Sequence, residues 1–570
     1  MNTAELLVSL LHQNDVRYIF GVPGGAIEDL NTAIHRSGAI TPIVTRHEQG
    51  AAFMADGYAR LSGKLGVCCA TAGPGATNLV TGMACASEDG IPVLALTGQV
   101  ATSVFGKGAV QESGQEGIDI VSIYRNLTKY SRMFINEQGA CSMIEKAIRT
   151  ALSPPGGPVH LNMPADLMKK EVPPGKPFSP VLKTRLFDPS GIATAAEKLL
   201  NAACPLIVAG WGAVLSRGAE ELRLLAELLE APVVTSPKAK GIFPESHPLS
   251  LGVIGFAGSP AAKEWITADA VDVLLAVGVS FNEMTTYGWD ERLAPQKDLI
   301  QVDAAPERIG RNYPATLGLV GDAATILHEI AVAVGQAKAS RGTDPAPCRP
   351  SPREKISLLQ KQHQPPALSG QQERGYHPQM LVTDVQQSFP AETVYFADIG
   401  NTMAWAIRHM TIDQPYSFFT CLGFSSMGYA VAAPVGAKLA APDRPVVALV
   451  GDGSFLMNGF EVATAVNYNI PVVWVVFNNA MLGMVYHGRK LFTTQVPEGI
   501  PSRFQRVDFV KIAEALGARG IRLGKGERLT KALADDILAA GQPTVIDVWI
   551  DEEAVPPIHS RIKTVDKHFG

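Results

Sequence analysis

Short uninterrupted apolar runs alternate with longer amphipathic stretches along the whole chain. Near the N-terminus, Arg17-Tyr18-Ile19-Phe20 reads as a strand entering the glycine turn Gly21-Val22-Pro23-Gly24-Gly25. Pro42–Thr45, Gly66–Thr71 and Pro92–Thr97 read as further strands, and about Glu48 to Leu61 as a helix. A second set holds Leu206–Gly210, Val271–Gly278 and Leu299–Asp303. A third holds Thr393–Asp398, Pro445–Val450 and Pro471–Phe477. Strands apolar at every position, separated by helices, predict parallel sheets covered on both faces. The expected fold is α/β, with three domains at residues 1–172, 188–335 and 377–550, each a mainly parallel sheet flanked by helices. The first and third look architecturally alike. Val172–Pro177 reads as a linker, and so does the polar, Pro-, Ser-, Gln- and Arg-rich segment 336–376. Residues 551–570 read as a tail.

Composition narrows the class. The 570 residues are 46% hydrophobic and 18% charged, a balance that excludes wholesale disorder. Forty-nine Lys and Arg against 54 Asp and Glu leave a net charge of −5, which gives no electrostatic footprint for nucleic acid. The seven cysteines form no C-x-x-C pair, so neither a disulfide framework nor a zinc site is expected. No signal peptide and no membrane span is read, and the expectation is a cytoplasmic protein.

The most informative feature is Gly451-Asp452-Gly453 directly after an apolar strand. After 24 intervening residues, Asn478-Asn479 directly follow the next one. In open α/β sheets, ligands bind beyond the carboxyl ends of the strands. An Asp and an Asn side chain there offer hard oxygen ligands suited to Mg²⁺, which also binds substrate phosphates. The glycines let backbone amides approach a diphosphate, and a helix starting near Ser454 would aim its N-terminus at it.

These blocks resemble the thiamine-diphosphate-dependent enzymes, specifically the acetolactate synthase group of 2-oxo acid decarboxylases and carboligases. The likeness extends to Phe20–Gly25, Arg46-His47-Glu48-Gln49-Gly50-Ala51-Ala52, Ala72–Asn78 and Val110-Gln111-Glu112. It implies that the first domain binds the aminopyrimidine, that the central domain is Rossmann-like and that the third binds the diphosphate. By resemblance, Asp452, Asn479 and the Met481 carbonyl hold the metal. Asn401, Thr402, Gly451, Gly453 and Ser454 meet the diphosphate, with Leu482, Gly483 and Met484 nearby. Met427 props the coenzyme in a bent shape, and the Ser425 carbonyl receives its exocyclic amine. Glu48 matches the carboxyl that meets the pyrimidine ring nitrogen and promotes proton removal at the thiazolium, acid–base work relayed through the coenzyme. Gln111 matches an amide near the substrate, and Gly25 a backbone approach to the reacting centre.

The chain also departs from the family pattern. Gly488 stands where biosynthetic relatives carry a pocket-shaping Trp, Val110 replaces a Phe, and Asn401-Thr402 replace Gln-His. The first two changes remove bulk on the acceptor side, so a larger or differently shaped substrate is expected. Tyr486, His487, Arg489 and Lys490 add proton donors and positive charge; His487 is a candidate proton donor or acceptor or carbonyl-orienting group, and Arg489 a carboxylate partner. In the central domain, Ser280–Met284 lacks two Arg that would contact FAD, so FAD is doubtful. The expected function is a carboligase that decarboxylates a pyruvate-like 2-oxo acid and transfers the acyl unit to a carbonyl acceptor. A simple decarboxylase or C–C lyase is the alternative, followed by a non-catalytic or flavin-oxidase relative. The resemblance further implies a homodimer or homotetramer with active sites between chains.

Overall fold

The computed structural model describes residues 1–172, 186–268, 270–340, 351–364, 374–492 and 501–558. Among these, 18 strands form three six-stranded sheets. The first holds β1 (Tyr18–Gly21), β2 (Thr41–Val44), β3 (Gly66–Ala70), β4 (Val93–Gln99), β5 (Tyr130–Met133) and β6 (Val159–Pro164), in the order β2-β1-β3-β4-β6-β5. The second holds β7 (Pro205–Ala209), β8 (Val233–Thr235), β9 (Ser250–Val253), β10 (Val273–Val277), β11 (Asp298–Asp303) and β12 (Leu317–Val320), in the order β12-β11-β10-β7-β8-β9. The third holds β13 (Val394–Ala397), β14 (Phe418–Phe419), β15 (Val446–Gly451), β16 (Val473–Asn478), β17 (Arg519–Leu523) and β18 (Thr544–Trp549), in the order β14-β13-β15-β16-β18-β17. Neighbouring strands run parallel in all three. Counted from the start of each sheet, the first and third wind identically, 2-1-3-4-6-5, while the second has the 3-2-1-4-5-6 order of dinucleotide folds.

The strands bury both faces, as continuous apolar runs require: β3, β4, β6, β10 and β16 hide every residue. The outer sheets of this lobed chain meet through two helices, Glu48–Ser62 and Tyr429–Ala440. Both are rich in Ala and Gly on the facing sides, so their backbones touch. A Cβ on Gly57 would lie 2.1 Å from the Ala433 carbonyl, and one on Gly436 would lie 1.9 Å from that of Met54.

A buried ionic node ties all three lobes. Arg60 pairs with Asp56 and, at 2.7 Å, with Asp89; Lys238 of the middle lobe reaches Asp89 at 2.7 Å; Tyr429 of the third lobe donates to Asp56. Two cations against two carboxylates balance charges that would be costly if unpaired. The segment 336–376, expected as a surface linker, carries part of the helix Ala323–Ser340 and the helix Pro352–Gln362. Only Ile356 and Leu359 of the latter enter the core beside Trp265, too few apolar positions to stand out in a polar stretch. Residues 173–185, which include most of the other expected linker, lie outside the described residues.

His160 on β6 is fully buried, bonded to Thr97 Oγ1 at 2.7 Å and Ser131 Oγ at 2.9 Å, and stacked on Tyr124. Burial pushes its pKa down to about 3. The unfolded chain takes up this proton near pH 6.5, whereas the folded chain does not, so stability falls as pH drops through that window. His160 is expected to cost about 2 kcal/mol between neutrality and pH 5. Urea unfolding of His160→Gln at both pH values should show that increment gone.

Candidate active site

β15 and β16 lie side by side in parallel, so Asp452 and Asn479 emerge together at their carboxyl ends. They border a cavity of about 470 Å³. Three helices begin at its wall: Asn401–His409, Asp452–Asn458 and Gly483–Phe492. The expected start of the second near Ser454 is corrected to Asp452, with Gly451 as its cap. Each helix start leaves backbone N–H groups without intrahelical partners, so three converging starts favour an anion with several oxygens.

Asp452 is 2% exposed, and its carboxylate accepts from the Asn479 N–H at 2.9 Å and the Ala480 N–H at 2.6 Å. Burial raises its pKa to about 6. A buried carboxylate flanked by the Asn479 amide and by Met481, in a cavity with an unbonded buried acceptor at Asn401 Oδ1, fits a hard divalent cation with a phosphate-bearing partner. Close backbone approach is preserved at Gly483, where a Cβ would meet the Asn401 amide at 2.7 Å, and at Gly453, where it would meet Leu482 at 2.8 Å.

The cavity collects most of the anticipated cofactor residues: Asn401, Thr402, Met427, Gly451, Asp452, Gly453, Ser454, Asn479, Met481, Leu482, Gly483 and Met484. Ser425 is not in its lining; it is exposed, with a left-handed φ of 62°. No residue before Pro378 lines the cavity, so this chain does not bring Glu48, Gln111 or Gly25 to it. Glu48 is 8% exposed at the start of its helix, and Asn78 Nδ2 donates to its Oε2 at 2.9 Å. Gln111 is exposed with φ 65°, its loop pinned by Ser113, whose hydroxyl donates to the Gln111 carbonyl and accepts from the Gly73 N–H. Gly25 is exposed, and a Cβ there would meet nothing within 4 Å, so no steric need for glycine arises inside this chain.

His487 lines the cavity but is buried, and its ring is committed on both sides. Nδ1 lies 2.9 Å from both the Asn401 amide and the Gly483 carbonyl, and Nε2 lies 3.1 Å from the Glu552 carbonyl. Burial lowers its pKa. The structure places His487 beside Asn401 in the cavity wall, with both ring nitrogens within bonding distance of protein groups. Arg489 and Gly488 also line the cavity, whereas Tyr486 and Lys490 turn to Glu553.

Four further residues shape the two ends of the site. Asn78 holds Glu48. Asp398 is fully buried and accepts from the Ile399, Gly428 and Ala430 N–H groups, so it shapes the loops bearing Asn401 and Met427; burial lifts its pKa to about 7. Its signal was available, an Asp ending an apolar strand like Asp452. Asp551 and Ile558, from the stretch taken for a tail, close the cavity, and nothing local in the sequence announced that.

Family descriptions settle the kinship. Residues 1–123 match the N-terminal TPP binding domain of thiamine pyrophosphate enzymes, 192–330 their central domain and 398–548 their C-terminal TPP binding domain. The chain belongs to the thiamine pyrophosphate enzymes. It is 35% identical to a probable acetolactate synthase large subunit of Methanocaldococcus jannaschii, over 98% of this chain and 93% of that protein. It is 32% identical to the acetolactate synthase large subunit of Haemophilus influenzae, covering 98% and 96%, and 31% to isozyme 3 of Escherichia coli, covering 98% and 97%. As a thiamine pyrophosphate enzyme of the acetolactate synthase-like kind, it uses thiamine diphosphate. No helix among the described residues is long and apolar enough to cross a membrane.

At the end of β7, Gly210 and Gly212 pack against Gly278, and Trp211 Nε1 donates to the Asp89 carbonyl at 2.7 Å.

Proposed function

We propose that the protein is a carboligase: it decarboxylates a pyruvate-like 2-oxo acid and joins the remaining acyl unit to a carbonyl acceptor other than that of the biosynthetic enzymes. The observation that carries this reading is the Asp452–Asn479–Met481 cradle at paired strand ends, in a chain similar over nearly its full length to acetolactate synthase large subunits. Thiamine diphosphate, when bound, supplies a thiazolium electron sink for the charge left by decarboxylation.

The chain's residues do the rest. Asp452, Asn479 and the Met481 carbonyl would hold Mg²⁺. Asn401, Thr402, Gly453 and Ser454 would hold the diphosphate, Met427 would pack against the coenzyme, and the Ser425 carbonyl would receive its exocyclic amine. Glu48 gives and takes the proton at the pyrimidine ring nitrogen, held in place by Asn78. Gln111 and the Gly25 backbone orient the substrate. Because the cavity contains nothing from the first lobe, the working site forms between two copies, Glu48 of one subunit facing the cavity of its partner. The minimal active unit is then a homodimer.

A second reading, a C–C lyase or simple decarboxylase, draws on the open substrate side: Val110 is 86% exposed, and a Cβ on Gly488 would meet nothing within 4 Å. One experiment separates them. The protein is incubated with thiamine diphosphate, Mg²⁺ and a panel of 2-oxo acids, with and without aldehyde or ketone acceptors, and products are identified by mass. New C–C bonds support the carboligase, and free aldehyde alone supports the second reading. Stripping the metal with EDTA is expected to abolish turnover, and Mg²⁺ to restore it; turnover that survives chelation counts against the Asp452 site.

A further inference from the structure

The backbone in front of Glu48 is held by the far lobe of its own chain. Glu461 opens the helix Glu461–Asn467, two residues beyond the helix Asp452–Asn458 and its Gly459 cap. It is 1% exposed, yet its carboxylate points out of its own lobe. Oε1 accepts from the His47 N–H at 2.9 Å and the Arg46 N–H at 3.1 Å, and Oε2 lies 3.2 Å from the same Arg46 nitrogen. Thr464 Oγ1 donates to Oε2 at 2.7 Å and fixes the carboxylate from behind. One turn further on, the Tyr468 hydroxyl accepts from the Val44 N–H at 2.8 Å. Thr45 N–H bonds Gly21 within the first sheet. All four amides from Val44 to His47 are therefore tied, three of them to the third lobe.

Gly50 completes the arrangement. A Cβ there would fall 2.2 Å from Glu461 Oε1, so glycine is what leaves room for the carboxylate against the helix. Among the described residues no cationic side chain bonds this buried carboxylate, which is costly, and burial raises the pKa of Glu461. Oε1 meets both adjacent amides, and Oε2 adds a second acceptor toward the Arg46 N–H; in an amide side chain an NH₂ in the place of Oε2 would face that N–H at 3.2 Å, donor against donor.

We propose that Glu461 is a positioning residue for Glu48: by fixing the Arg46 and His47 amides, it sets the entry of the Glu48 helix and so where the Glu48 carboxyl reaches. This rests on the reading of Glu48 given above. Glu461 itself lies outside the lining of the cavity.

The test uses the full chain with thiamine diphosphate and Mg²⁺, comparing Glu461→Ala, Glu461→Gln, Gly50→Ala, the double variant Gly50→Ala/Glu461→Ala, and Glu48→Gln. A displacement near 1 Å of a reacting group costs on the order of 10²-fold in rate. Glu461→Ala is expected to lower kcat by about that much, with KM for the 2-oxo acid and the coenzyme Kd within about threefold. Glu461→Gln should fall between it and the parent. Gly50→Ala should be impaired alone, but the double variant should be no slower than Glu461→Ala, because the two act through one contact. In the coenzyme-free protein, hydrogen exchange at residues 44–47 should quicken in Glu461→Ala and Glu461→Gln. If the alanine variant does not fold, the glutamine variant and Gly50→Ala carry the test. A folded Glu461→Ala with kcat within about twofold of the parent, or with unchanged exchange at 44–47, overturns the proposal while an inactive Glu48→Gln leaves the Glu48 reading standing. An active Glu48→Gln overturns both.

Discussion

Glu48→Gln is expected to lower turnover by roughly 10²–10⁴-fold, the usual worth of a positioned acid–base group. The substitution keeps the shape and leaves an oxygen to accept from Asn78 Nδ2, now 2.9 Å from Glu48 Oε2. What it removes is a proton that can be given and taken. The coenzyme should still bind, because the metal and diphosphate residues lie in the third lobe, on a cavity that Glu48 of the same chain does not line. Steady-state kinetics at saturating thiamine diphosphate, alongside calorimetric coenzyme binding, checks both halves. Full activity would remove Glu48 from the reaction.

Gly436→Ala is expected to destabilise the protein by about 3 kcal/mol, at the upper end of the cost of overfilling a packed core. The added methyl would lie 1.9 Å from the Met54 carbonyl, and backbone on both sides leaves nothing flexible to yield. Because the strained partner is the Glu48 helix, activity should fall with stability. Gly335→Ala is the control: it is also helical, its Cβ would meet nothing within 4 Å, and it should be neutral or gain up to about 1 kcal/mol. Thermal melts of the two variants against the parent decide the matter; equal melts would mean the helices can part without penalty.

What could be read from the amino acids was what repeats locally. Parallel strands buried on both faces leave unbroken apolar runs, so the sheets and the likeness of the first and third lobes were visible. Asp452 and Asn479 were visible for a related reason, since each directly follows such a run. Contacts made across the chain were not. Glu461 meets Arg46 and His47 across more than 400 residues, and its own surroundings look like an ordinary helix start. The helix Pro352–Gln362 hides behind a polar composition because only two of its side chains enter the core. His487 stood out because its type is informative; its placement between the Asn401 amide and the Glu552 carbonyl depends on where residues 551–558 return, which no local pattern encodes.

The charges shared by Arg60, Asp56, Asp89 and Lys238 limit how the molecule can be recombined. A chimera that imports a middle lobe without a counterpart of Lys238 would leave two acidic groups sealed around a single guanidinium. Such a hybrid would face a penalty at the seam of all three parts, however well each part suited its own interior. Exchange of modules with relatives would then succeed only when that lysine travels with the graft.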